Sequence, residues 1–101
     1  MANRRYRQVQ VAGSSMVPAL ADGDLVLARM GDRVRPDDLV LVRWPNRPGQ
    51  LSIKRAVWPE GDGWFVVGDN VAASTDSNHL GPADVLGVIR WRLWPWPRRI
   101  R

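Results

Sequence analysis

Apolar and polar residues alternate with a period of two along most of this chain, and glycine or proline interrupts the pattern every few residues. No segment carries a sustained apolar stripe at helical spacing. Such a chain cannot build its core from packed helices. It must bury the inner faces of strands. Strands are expected at Tyr6 to Ala12, Leu25 to Arg29, Asp38 to Trp44, Leu51 to Trp58, Trp64 to Val67 and Val85 to Leu93. The turn Ala21-Asp22-Gly23-Asp24 leads into the second strand, and the Pro-rich loop Pro45-Asn46-Arg47-Pro48-Gly49 ends the third. Pro59 to Gly63 closes a hairpin, and a long loop runs from Gly68 to Pro82. One turn around Met16 to Ala21 is the only helix candidate. In the fourth strand Leu51, Ile53, Arg55 and Val57 share one face, and Ser52, Lys54, Ala56 and Trp58 the other. In the last strand Val85, Gly87, Ile89, Trp91 and Leu93 share a face. The expected fold is mostly β, with small twisted antiparallel sheets or a partly open barrel and little or no helix.

A length of 101 residues sets the expectation of one domain spanning 1–101, and neither an internal repeat nor a linker breaks it. Cysteine is absent, which excludes disulfides, thiol nucleophiles and Cys-based metal sites. The single histidine, His79, excludes a site built on several imidazoles, and it reads as a loop residue. No cofactor and no metal are expected. The net charge is +5. Its carriers cluster at the ends: Arg4, Arg5 and Arg7 first, then Arg90, Arg92, Arg98, Arg99 and Arg101. The longest apolar runs, such as Leu39-Val40-Leu41-Val42, fall far short of the ~20 residues that span a bilayer. The N-terminal arginines have no apolar run behind them, so they do not read as a signal peptide. The expected setting is cytoplasmic, with peripheral contact at the inner face of a membrane as an extension.

Among the fifteen basic residues there is one lysine, Lys54. It lies mid-strand, where a lysine is usually a solvated surface residue. Arginine cannot act as a base, because its pKa lies above ~12. A lysine can, once desolvation lowers its pKa from ~10.4. A position that needs a deprotonatable amine would have to remain lysine.

Two further segments stand out. Gly13-Ser14-Ser15-Met16-Val17-Pro18-Ala19-Leu20 is either a polar turn between strands or a site for an exposed Oγ with free N–H groups around it. Gly13 and Ser14 permit close backbone approach there. Gly68-Asp69-Asn70-Val71-Ala72-Ala73-Ser74-Thr75-Asp76-Ser77-Asn78 is rich in side chains that bond to backbone, and by itself it reads as a well-tied turn.

Taken in order, Ser-Met-x-Pro-x-Leu with Gly-Asp-x-Val, then Lys-Arg, then Gly-Asp-Asn-x₃-Ser-x-Asp-Ser resembles the type I signal peptidases and their LexA-like relatives. The resemblance covers about residues 9–91, leaving a basic Trp-rich tail at 92–101. It implies the catalytic-domain fold of that clan. It also implies that Ser15 is the nucleophile, that Lys54 is the general base, and that the Ser74 hydroxyl orients the lysine amine. Gly68, Asp69 and Asn70 fall on the turn that supports the site. The Ser15 N–H falls on one oxyanion donor. Gly13 occupies a position where many signal peptidases place a second donor hydroxyl. Asn78 replaces the arginine that usually pairs with the acid at Asp76. Met16 and Pro18 are carried over as substrate-contacting positions. The small size without an anchor resembles the maturation proteases of nickel-type superoxide dismutase, which implies removal of a leader peptide from that precursor.

Three functions follow as expectations. The first is a serine endopeptidase with a Ser–Lys dyad, acting on the leader of a precursor protein. The second is a signal-peptidase-like protease acting on exported proteins at a membrane. The third is not enzymatic: the Arg- and Trp-rich segment from Arg90 to Arg99 would bind nucleic acid or lie on a membrane surface. With the dyad in hand, no nucleic-acid partner is expected. Trp44, Trp58 and Trp64 are expected in the core or the cleft wall, with Trp58 on the Lys54 face shielding the amine.

Overall fold

A computed structural model describes residues 5–100; Arg4 and Arg101 of the two basic ends lie outside the described residues. Among the described residues seven strands form one open, fully antiparallel sheet. They are β1 (Tyr6–Gln10), β2 (Leu25–Met30), β3 (Leu39–Trp44), β4 (Arg47–Glu60), β5 (Gly63–Val67), β6 (Asp84–Trp94) and β7 (Arg98–Arg99). Their spatial order is β1-β2-β6-β3-β4-β5, with β7 paired to β6. Among the described residues no helix is long and apolar enough to cross a membrane.

The run Leu-Val-Leu-Val makes β3 the centre of the molecule. Leu39 and Leu41 enter one apolar cluster with Val26, Ala28 and Ile89. Val40, Val42 and Trp44 enter a second with Ala56, Val66 and Val88. A strand buried on both faces needs such a continuous apolar run. Its neighbour β4 follows the expected alternation up to Ala56, with Ile53 and Leu51 on the first cluster.

Several expectations are corrected. The Pro-rich loop shrinks to a turn at Pro45-Asn46, and β4 already begins at Arg47. The Met16 to Ala21 segment is a turn whose Leu20 N–H bonds to the Met16 carbonyl, and the short helices lie in the long loop instead. They are a 3₁₀ turn at Val71–Ala73 and α1 at Ser77–Leu80, capped by Asp76. Trp58 is 48% exposed and stacks on Phe65 at 4.7 Å. A register shift between Ala56 and Trp58 breaks the alternation that would have set it beside Lys54. Ile89 and Trp91 do not share a face. Ala28 pairs with Ile89 but Leu27 with Trp91, so one extra residue reverses the pleat. The strand β7 was not expected; its two arginines close onto Trp91 and Arg92.

Candidate active site

The nucleophile candidate sits where β1 runs out into a turn. Gly13 takes φ +83°, a conformation that favours glycine, and its N–H donates to Asp22 Oδ1 at 2.7 Å. Ser14 is exposed and Ser15 is half-buried. Met16 follows at 1% exposure in the first apolar cluster, which pins the turn to the core. Asp22 was read only as part of a turn. Its role needed the fold, since nine residues separate it from Gly13.

The loop from Gly68 is tied onto that turn. The Asn70 N–H donates to the Ser15 carbonyl at 2.8 Å, and Asn70 Nδ2 donates to the Ser14 carbonyl at 3.1 Å. A Cβ on Gly68 would overlap Ser74 Oγ and stand 3.0 Å from the Ser15 carbonyl oxygen. Only glycine lets the three segments meet this closely. Asp69 holds the other side, accepting from Arg55 Nε at 3.1 Å and Nη2 at 2.6 Å. That bidentate pair explains the residue after Lys54: Arg55 points away from the amine and clamps the loop.

Lys54 lies on β4 at 4% exposure. Its Nζ donates to Ser74 Oγ at 3.0 Å, and Ser74 Oγ donates to Asp76 Oδ2 at 3.4 Å. Burial pushes the Lys54 pKa below the ordinary lysine value, and the Asp76 charge only partly offsets this. Burial also works against ionisation of Asp76. The N–H groups of Asn78 and Gly68, the Asn78 amide and the Ser74 hydroxyl outweigh it and hold the carboxyl below its usual range. Asn78 thus supports Asp76 by two neutral hydrogen bonds where an arginine would have supplied an ion pair.

Ser15 and Lys54 line one pocket of about 220 Å³ together with Gly13, Ser14, Trp44 and Ser52. Trp44, 2% exposed and anchored by Nε1 to the Gly81 carbonyl at 3.1 Å, lines this pocket with Lys54, and Trp58 does not. A second pocket of about 310 Å³ adjoins, between Val9 to Ala12 and Gln50 to Ile53, with Met16 in its wall. Pro18 is exposed and lines neither pocket. His79 is exposed, with Nδ1 3.9 Å from Asp76 Oδ1. Among the described residues no group of three or more His, Asp or Glu is placed to hold a metal.

Residues 2–89 match the peptidase S24-like family. The chain belongs to that family. It is therefore a member of the signal peptidase and LexA-like clan of peptidases. The peptidase is 34% identical to the mitochondrial ATP-independent inner membrane protease subunit 1a of Arabidopsis thaliana, over 84% of this chain and 68% of the relative. It is 32% identical to subunit 1b of the same plant, over 83% and 68%. It is 28% identical to the mitochondrial inner membrane protease subunit 1 of Mus musculus, over 87% and 69%.

Proposed function

We propose that this peptidase removes N-terminal leader segments from precursor proteins with a Ser15–Lys54 dyad. The observation that carries the reading is the buried amine itself. One lysine is placed where burial favours its neutral form, in the same pocket as a serine on a glycine turn. Neutral Lys54 takes the Ser15 proton as Oγ attacks the scissile carbonyl carbon. The tetrahedral oxyanion is met by the Ser15 N–H, which makes no hydrogen bond within the described residues. Gly13 has no hydroxyl to add a second donor, so backbone or water completes the hole. The C–N bond then breaks, and the ammonium of Lys54 returns the proton to the leaving amine. Lys54 next deprotonates water, which attacks the ester carbon; the C–Oγ bond breaks, and the Lys54 ammonium returns the proton to Ser15 Oγ. Ser74 orients the amine by accepting one N–H, leaving the nitrogen lone pair for Ser15.

The substrate is an extended peptide. The segment Leu51 to Ile53 of β4 pairs with β3 on one side only, and β1 is an edge strand. The pocket between them suits a peptide strand, with the bond to be cut delivered to Ser15. The leader of a nickel-type superoxide dismutase precursor is the first candidate substrate. A second reading, precursors processed at a membrane, is favoured by relatives named as inner membrane proteases.

The test is mass spectrometry of precursors incubated with the protein. One set carries a dismutase leader and the other an export leader. A single N-terminal truncation by the parent and none by Ser15→Ala supports the dyad, and the precursor that is cut decides between the two substrates. Truncation by Ser15→Ala would sink the proposal.

A further inference from the structure

On the outer face of the β2–β6 pairing, Leu25, Leu27, Trp91 and Trp94 belong to neither apolar cluster. In the β2–β6 pairing Leu25 opposes Trp94 and Leu27 opposes Trp91, while Val26 and Ala28 turn to the opposite face and into the core. Two register shifts in this pairing, between Leu25 and Val26 and between Leu27 and Ala28, keep both tryptophans on the outer face. Trp91 is 42% exposed and Trp94 59%, and Leu25 and Leu27 are half-buried between them and β1. Trp96, 68% exposed, follows just beyond the strand.

Arginines border this patch. Tyr6, Arg29, Arg33, Arg35 and Arg99 line a basin that ends on Trp91. The cross-strand pairing of Trp91 with Arg99 sets that arginine on the same outer face, whereas Arg98 turns inward to the Ala19 carbonyl. Two carboxylates face the basin, and both are engaged. Asp32 accepts from Arg90 Nε and Nη2 at 2.9 and 2.6 Å and from the Arg33 N–H at 2.9 Å. Asp38 accepts from the Arg35 N–H at 2.9 Å. Arg29, Arg33, Arg35 and Arg99 form no ion pair with a described carboxylate.

We propose that this outer face docks on a membrane surface rich in acidic phospholipids. Indole rings combine an apolar body with an N–H and partition to the headgroup level, and arginines beside them meet lipid phosphates. Nucleic acid would satisfy the arginines and leave Leu25 and Leu27 without a partner. A second copy of the chain would set arginine against arginine. The docking does not depend on the Ser15–Lys54 reading.

The experiment is sedimentation with vesicles of phosphatidylcholine alone or mixed with phosphatidylglycerol, using the full chain. The parent should bind the mixed vesicles at least about tenfold more tightly at low salt, since each arginine near an acidic surface adds attraction. The pair Arg33→Glu/Arg35→Glu and the pair Trp91→Ser/Trp94→Ser should each weaken binding to mixed vesicles about tenfold or more. Both should cleave a soluble leader peptide as the parent does, and Ser15→Ala should bind vesicles as the parent does. Equal binding to the two vesicle types, or unchanged binding by either pair, would overturn the proposal. So would a Trp94-dependent dimer that ignores vesicles.

Discussion

Lys54 Nζ donates to Ser74 Oγ at 3.0 Å, and the same hydroxyl donates onward to Asp76 at 3.4 Å. The amine is buried, yet its one close partner is neutral and the carboxylate stands one residue removed. A carboxylate in direct contact would hold the proton on the lysine. A hydroxyl relay instead fixes the nitrogen in place and leaves its charge weakly supported.

Ser74→Ala removes that fixed point. Loss of one well-placed hydrogen bond to an amine predicts a fall in kcat of about 10- to 100-fold. KM should hold, because Ser74 lies behind the lysine and away from the peptide groove. Steady-state kinetics on a leader peptide separate the two parameters.

The pH profile carries a sign. The Lys54 pKa lies below the ordinary lysine value, so kcat/KM should rise with pH along an acid limb centred below ~10.4. Asp76 raises the lysine pKa, so Asp76→Asn should move that limb to lower pH. The same substitution should lower stability by about 1–3 kcal/mol, because buried donors lose an ionised acceptor. Kinetics across pH and urea unfolding check the two parts.

Stability offers a prediction in the opposite direction. A lysine whose folded pKa is depressed is protonated in the unfolded chain over the window between its two pKa values. It therefore opposes folding below the folded pKa, and this penalty fades as pH rises toward the ordinary lysine value. Lys54→Met should be more stable than the parent near neutral pH, and the gap should close as the solution becomes alkaline. Cleavage should be lost at every pH. Thermal melts at neutral and alkaline pH decide it.

Gly68→Ala should separate folding from catalysis. Its Cβ would meet Ser74 Oγ, Ser74 Cβ at 2.5 Å and the Ser15 carbonyl at 3.0 Å. Pushing these segments apart costs about 1–3 kcal/mol of stability. It misplaces nucleophile and base together, so kcat should fall about 100-fold or more. Circular dichroism would confirm that the sheet survives.

How much of this was legible in the sequence depends on distance along the chain. A continuous apolar run marked β3 and alternation marked Leu51 to Ala56 of β4, because burial imposes its pattern directly on neighbouring residues. Alternation misplaced Trp58 and Trp91, since one extra residue at a bulge reverses every later side chain and leaves no mark in composition. The three motif segments and the solitary Lys54 pointed to the site. The contacts that join them did not show: Asn70 onto Ser14 and Ser15, Asp22 onto Gly13 and Arg55 onto Asp69 all span nine residues or more. The two-residue β7 has no pattern long enough to read, and only its pairing with Trp91 and Arg92 defines it.

The central claim is that a neutral lysine at position 54 is the base. Single-turnover cleavage of a leader peptide by Lys54→Arg, measured beside the parent, tests it most directly. Arginine keeps the charge and length but cannot give up its proton in this range. The account predicts no cleavage above that of Ser15→Ala. Cleavage at the rate of the parent would contradict it.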